Sequence, residues 1–190
     1  MNEETLKRLD EQFDENYGWE MSDQDDVLDP LWDPDRLTES LSEEDIKSIK
    51  PCDIIYCMAS TENDWKFYKT RPMLVIFTGN MSSIPVFYGF QLTTVDPDPE
   101  KPKTKFRYAM KDWAEVGLHR PSYINYEHFV RNINNDISLA ENGHFGITKR
   151  DVKGLAHAIE MSYMDLIACS YTTPDKQKLL DDCISMLEAI

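Results

Sequence analysis

Lys69-Thr70-Arg71-Pro72-Met73-Leu74-Val75-Ile76-Phe77 is the stretch from which the rest of the chain can be read. Proline fixes its own φ and disfavours the helical region for the residue before it, so Arg71 is extended and its guanidinium stands at the mouth of the apolar run beyond the proline. That run, residues 73–77, is too short for a typical helix and rich in β-forming residues. It predicts a buried strand, with Thr78-Gly79-Asn80 as its turn. An arginine held this way is preorganised, and the remaining segments read as scaffold, wall or lid around it.

Working outward, residues 53–58 (Asp53-Ile54-Ile55-Tyr56-Cys57-Met58) form the first strand, and a long polar loop returns from Ala59 to Thr70. The third strand spans residues 84–92, with Pro85 near its start marking a sheet edge, and it ends in Thr93-Thr94. Asp96-Pro97-Asp98-Pro99-Glu100-Lys101-Pro102 is a surface loop. Residues 104–110 and 122–126 supply a fourth and a fifth strand. Short strands joined by unequal polar loops predict an α+β, mainly β chain built on a small, strongly bent antiparallel barrel, with a mixed α+β sandwich as the competitor. Thr148 reads as the N-cap of a helix whose apolar face holds Val152, Leu155, Ala156, Ile159, Tyr163, Leu166 and Ile167. A further helix opens at Thr173-Pro174 and places Leu179, Leu180, Cys183 and Leu187 largely on one side.

The charge is uneven. Residues 1–50 hold 17 acidic and 5 basic side chains, a net of -12, which leaves -3 of the total -15 for residues 51–190. The division is therefore an acidic extension at 1–50, a barrel with its helix at 51–170 and an additional helix at 171–190. Residues 3–15 suit a short charged helix, and Ser42-Glu43-Glu44-Asp45 opens another that ends before Pro51. Between them the acidic, aromatic stretch around Trp19 and Trp32 has too few aliphatics for a core of its own. It is either a loosely held solubilising tail or an extended strip anchored by its tryptophans over a groove made for a polyanion. The acidic start lacks the apolar region of a secretory signal, and no apolar run approaches a membrane span. Cys52, Cys57, Cys169 and Cys183 form no CxxC pair and no Cys/His ligand set, as expected of reduced thiols in a cytoplasmic protein that binds no metal.

Asp53 and its strand, Thr70-Arg71-Pro72 and its apolar strand, a strand ending in Thr93, and Gly117-Leu118-His119-Arg120-Pro121-Ser122-Tyr123-Ile124 together resemble the MazF/PemK (Kid) family of toxin endoribonucleases over roughly residues 51–160. The resemblance implies an SH3-like barrel with a C-terminal helix, a homodimer, and cofactor-free, metal-independent cleavage of single-stranded RNA, usually silenced by an antitoxin protein. It assigns the catalytic arginine to Arg71 and the catalytic threonine to Thr93. Glu127 falls near an acidic position that some members use in catalysis. Two departures stand out: Cys52 replaces the glycine usual before the first-strand acid, and Thr61-Glu62-Asn63-Asp64-Trp65-Lys66 replaces the family's Gly/Ser-Glu-Gln loop.

The side chains suit that chemistry. If the RNA's own 2′-hydroxyl attacks the adjacent phosphorus, leaving a cyclic phosphate and a 5′-hydroxyl, charge builds on the phosphoryl oxygens, where a fixed guanidinium and a threonine hydroxyl bind it. Arginine is a poor base, so deprotonation falls to Glu127, Glu62, Asp64 or His119, with Glu127 favoured. Lys66, Lys69, Lys101, Lys103, Lys105 and Arg107 can track phosphates, and Trp65, Phe67 and Tyr68 can stack on bases. The alternative class is a barrel that has lost cleavage and serves as a regulatory or protein-binding module. A DNA-binding regulator is disfavoured, because no helix has a basic recognition face.

Overall fold

The computed structural model describes residues 41–58, 70–81, 84–94, 105–132, 137–139, 146–169 and 174–190. They form helix α1 (Glu43–Ser48), strands β1 (Ile54–Met58), β2 (Thr70–Met81), β3 (Ile84–Thr93), β4 (Arg107–Ala109), β5 (Tyr123–Arg131) and β6 (Ser138–Leu139), and helices α2 (Lys149–Cys169) and α3 (Pro174–Glu188). The architecture is α+β, with one six-stranded sheet in the order β4-β5-β3-β2-β1-β6. Every ladder in it is antiparallel. The expected helix at 3–15, the strip around Trp19 and Trp32, and the loops at 59–69 and 96–102 lie outside the described residues.

Residues 73–77 of β2 are buried on both faces, which explains why that run holds no polar residue. Leu74 and Ile76 join the larger core, which also contains Phe90, Phe106, Ile124, Leu155, Leu166 and Leu180 and is covered by α2 and α3. Met73 and Val75 point the other way, into a smaller cluster with Ile55, Cys57, Phe87 and Ile137 under α1. Residues 41–50, which charge alone groups with the acidic extension, are part of this packing: Ile49 is buried in the smaller cluster, Leu41 and Ile46 pack against it, and Leu41 N donates to Ile137 O at 3.3 Å. Ser42 caps α1 as its sequence suggests, accepting from Asp45 N.

Three expectations need correction or refinement. Thr78-Gly79-Asn80 is not a turn; it continues β2 and pairs with Phe87, Val86 and Pro85, because a long hairpin partner overrides a local turn signal. Pro85 sits at a local edge of the sheet but not on an edge strand, since β3 lies between β2 and β5. It is tolerated because β5 pairs with β3 only from Tyr88 onward, leaving the proline beyond its reach. The fourth strand shrinks to Arg107–Ala109 behind a turn at 105–106, while the fifth extends to Arg131.

Gly89 sits where both neighbours of β3 change register. A β-carbon there would lie 1.8 Å from Leu74 O, so only glycine lets the two backbones approach this closely. Cys52 has φ 74, the left-handed conformation that glycine adopts most easily. The turn holding it is closed by Asp53, whose Oδ2 accepts from Lys50 N at 3.0 Å. Cys52, Cys57 and Cys183 are free and buried. Thr148 caps α2, accepting from Asp151 N at 3.3 Å, and Pro174 opens α3, as their sequences suggest. Among the described residues no helix is long and apolar enough to cross a membrane.

Candidate functional site

Side chains alternate along a strand, and ladder partners share a face. Met73 pairs with Gln91; Arg71 stands two residues before the first and Thr93 two after the second, so both lie at the same end and on the same face of β2 and β3. On β5, Tyr123 is the ladder partner of Thr93 and Asn125 that of Gln91; Asn125 also pairs with Arg107 on β4. The intervening residues Leu74, Phe90, Leu92 and Ile124 belong to the helix-covered core. Arg71, Gln91, Thr93, Tyr123, Asn125 and Arg107 therefore make one polar patch on the opposite face, next to the small cluster under α1. Two arginines flank two amides, and three inter-strand steps separate β2 from β4, about 14 Å between backbones.

The contacts within the patch are specific. Gln91 is 7% exposed, and with its amide oxygen turned toward Arg71 it accepts from Nε at 3.1 Å and from Nη1 at 3.2 Å. Arg71, Thr93, Asn125 and Arg107 are half-buried, and Arg107 Nε is buried. Glu127 occupies a bulge. Between the pairs Gly89↔Val130 and Gln91↔Asn125, β3 has one residue, Phe90, while β5 has four, residues 126–129. Tyr126 and Phe129 both pack toward the helix-side core, so the regular alternation breaks where Glu127 sits. Bulges of this kind re-aim side chains at sheet edges and binding sites. Glu127 is tied to the patch through its backbone, its N–H donating to Asn125 Oδ1 at 3.4 Å.

β4 is fixed from the helix side. Asp151, 0% exposed in the first turn of α2, accepts from Tyr108 Oη at 2.9 Å, Lys111 N at 2.8 Å and Asp112 N at 3.1 Å. Burial and the Asp151 hydrogen bond push the Tyr108 phenol well above its ordinary value. Gly154 leaves room for this ring, since a β-carbon there would meet Tyr108 Oη at 2.1 Å. Arg107, the neighbour of Tyr108 on β4, is held to the opposite face by the same anchor.

Of the residues singled out from sequence, the fold brings Arg71, Thr93 and Arg107 onto one face, with Glu127 beside them. Lys105 is not among them: its Nζ pairs with Asp165 of α2 at 2.5 Å and lies 5.4 Å from the Phe106 ring centroid. His119 is exposed in the loop between β4 and β5. Trp65, Lys66, Lys69, Lys101, Lys103, Glu62 and Asp64 lie outside the described residues. Gln91, Tyr123 and Asn125 escaped the sequence reading. Their signal was the alternation in Phe90-Gln91-Leu92-Thr93 and Tyr123-Ile124-Asn125, which gives a polar face but needs the register to become a site. Among the described residues no group of three or more His, Cys, Asp or Glu side chains is placed to hold a metal ion. No family model and no curated protein matches this chain.

Proposed function

We propose that this chain is a MazF/PemK-like endoribonuclease, its sheet closing as a small SH3-like barrel, that cuts single-stranded RNA without a metal and works as a homodimer. The observation that carries the reading is the placement of Arg71 and Thr93 at matching positions on adjacent strands, on one polar face. Arg71 binds the phosphoryl oxygens as the 2′-hydroxyl attacks, and the Thr93 hydroxyl adds a second donor on the same side. Both contacts strengthen as charge accumulates, so they favour the transition state over the bound substrate. Glu127 is the general base, since a carboxylate beside a phosphate has its pKa raised toward neutrality. Arg107, across the patch, holds a neighbouring phosphate of the same strand.

The acidic residues 1–40 serve as a built-in competitor for this patch, alongside or in place of an antitoxin protein. They carry 14 acidic and 3 basic side chains, enough to oppose RNA by charge alone. The test is incubation of mixed-sequence single-stranded RNA with chelator, comparing the full chain with one beginning at Leu41, and then analysis of the product ends. Cleavage leaving cyclic phosphate and 5′-hydroxyl ends, faster for the shorter chain, supports both parts. Equal rates remove the competitor, and 5′-phosphate ends remove the mechanism.

A further inference from the structure

We propose that Gln91 is the positioning residue for Arg71, an uncharged clamp that sets the plane of its guanidinium without adding a counter-charge. The inference rests on the reading of Arg71 as the phosphate-binding group. Gln91 lies in the middle of the sheet, with ladder partners Met73 on β2 and Asn125 on β5 and buried neighbours Phe90 and Leu92, so its backbone is fixed on both sides. A buried amide without partners is unfavourable, and an aliphatic side chain would satisfy such a position as packing. What the amide does here is accept from Nε at 3.1 Å and from Nη1 at 3.2 Å, two donors of one rigid planar group. Two hydrogen bonds to one oxygen stop rotation about the last side-chain torsions, which proline on the following residue cannot do.

The choice of amide over carboxylate carries the functional content. A glutamate at 91 would orient the guanidinium equally well but add a negative charge beside it, and would repel the phosphate that Arg71 is there to bind. A neutral acceptor separates orientation from charge. Gln91 thereby governs how productively RNA is held rather than how tightly.

The test uses the full chain with Gln91→Met, close in volume with no acceptor, and Gln91→Glu, an acceptor with charge. Without RNA, the Arg71 Nε–H resonance, identified by its loss in Arg71→Lys, is followed by nitrogen-labelled NMR for exchange with water. The expected result is slow exchange in the native chain and in Gln91→Glu, and at least tenfold faster exchange in Gln91→Met. With RNA, Gln91→Met lowers kcat roughly tenfold or more with KM little changed, whereas Gln91→Glu weakens binding. Unchanged Arg71 exchange in a folded Gln91→Met chain overturns the proposal. The expected exchange pattern in a native chain that cuts no RNA upholds the clamp and defeats the nuclease reading instead.

Discussion

Asp151→Asn tests whether the patch is held in place from behind. If the amide oxygen takes the place of Oδ1, the hydrogen bonds from Tyr108 Oη and Lys111 N survive, and the new NH2 faces the Asp112 N–H in place of an acceptor. One buried hydrogen bond is lost and two donors oppose each other, at a cost of about 2 kcal/mol. Loss of the negative charge from the first turn of α2 adds roughly 0.5 kcal/mol in the same direction. For a chain of this size that is a fall of about 5–10 °C in Tm. Asp151→Ala removes all three hydrogen bonds and should cost about twice as much. Urea unfolding at fixed m, with amide exchange at Lys111 and Asp112, reads the effect. An Asp151→Asn midpoint equal to the native one, with both amides still protected, would refute this account of how β4 and Arg107 are positioned.

Single contacts set three other outcomes. Gly89→Ala sets a β-carbon 1.8 Å from Leu74 O and 2.8 Å from Leu74 C, backbone atoms that move only if β2 and β3 separate, so a loss of about 3 kcal/mol or more is expected in thermal unfolding; an unchanged Tm would contradict the register. Burial pushes the Cys57 thiol up to about 12. Because the folded state holds the neutral thiol, its contribution is constant below the ordinary thiol range and is lost as pH rises from about 9 toward 12, by about 1.4 kcal/mol per unit. Cys57→Ala should lose stability less steeply with pH over that window; parallel slopes would show that the thiol ionises freely. Lys105→Ala removes an exposed pair on the helix side, so RNA cleavage should stay within about twofold and stability within about 1 kcal/mol; a tenfold loss of RNA affinity would put Lys105 back among the RNA-binding residues.

Much of the fold was legible because two kinds of signal are local. The run Met73-Leu74-Val75-Ile76-Phe77 announced a strand buried on both faces, and the periodicity from Val152 to Ile167 announced α2 with Thr148 as its cap. What was not legible depends on pairing. Thr78-Gly79-Asn80 looks like a turn until Phe87, Val86 and Pro85 are laid beside it, and no pattern in Tyr126-Glu127-His128-Phe129 reveals that four residues face one. The site showed the same division. Arg71 could be found from the proline behind it, whereas Gln91 and Asn125 became candidates only when the register aligned them between two arginines. Lys105 failed for a related reason: a lysine beside a strand can serve either face, and Asp165 on α2 decides which.

The most direct measurement is single-turnover cleavage of mixed-sequence single-stranded RNA, in chelator, by the chain beginning at Leu41, with and without Arg71→Ala. Native far-ultraviolet circular dichroism and a native unfolding midpoint serve as controls on the variant. Cleavage that falls at least a hundredfold in the folded Arg71→Ala chain is the predicted result. Equal cleavage by both chains, or none by the folded native chain, would contradict the central claim that Arg71 and the patch around it form an RNA-cutting site.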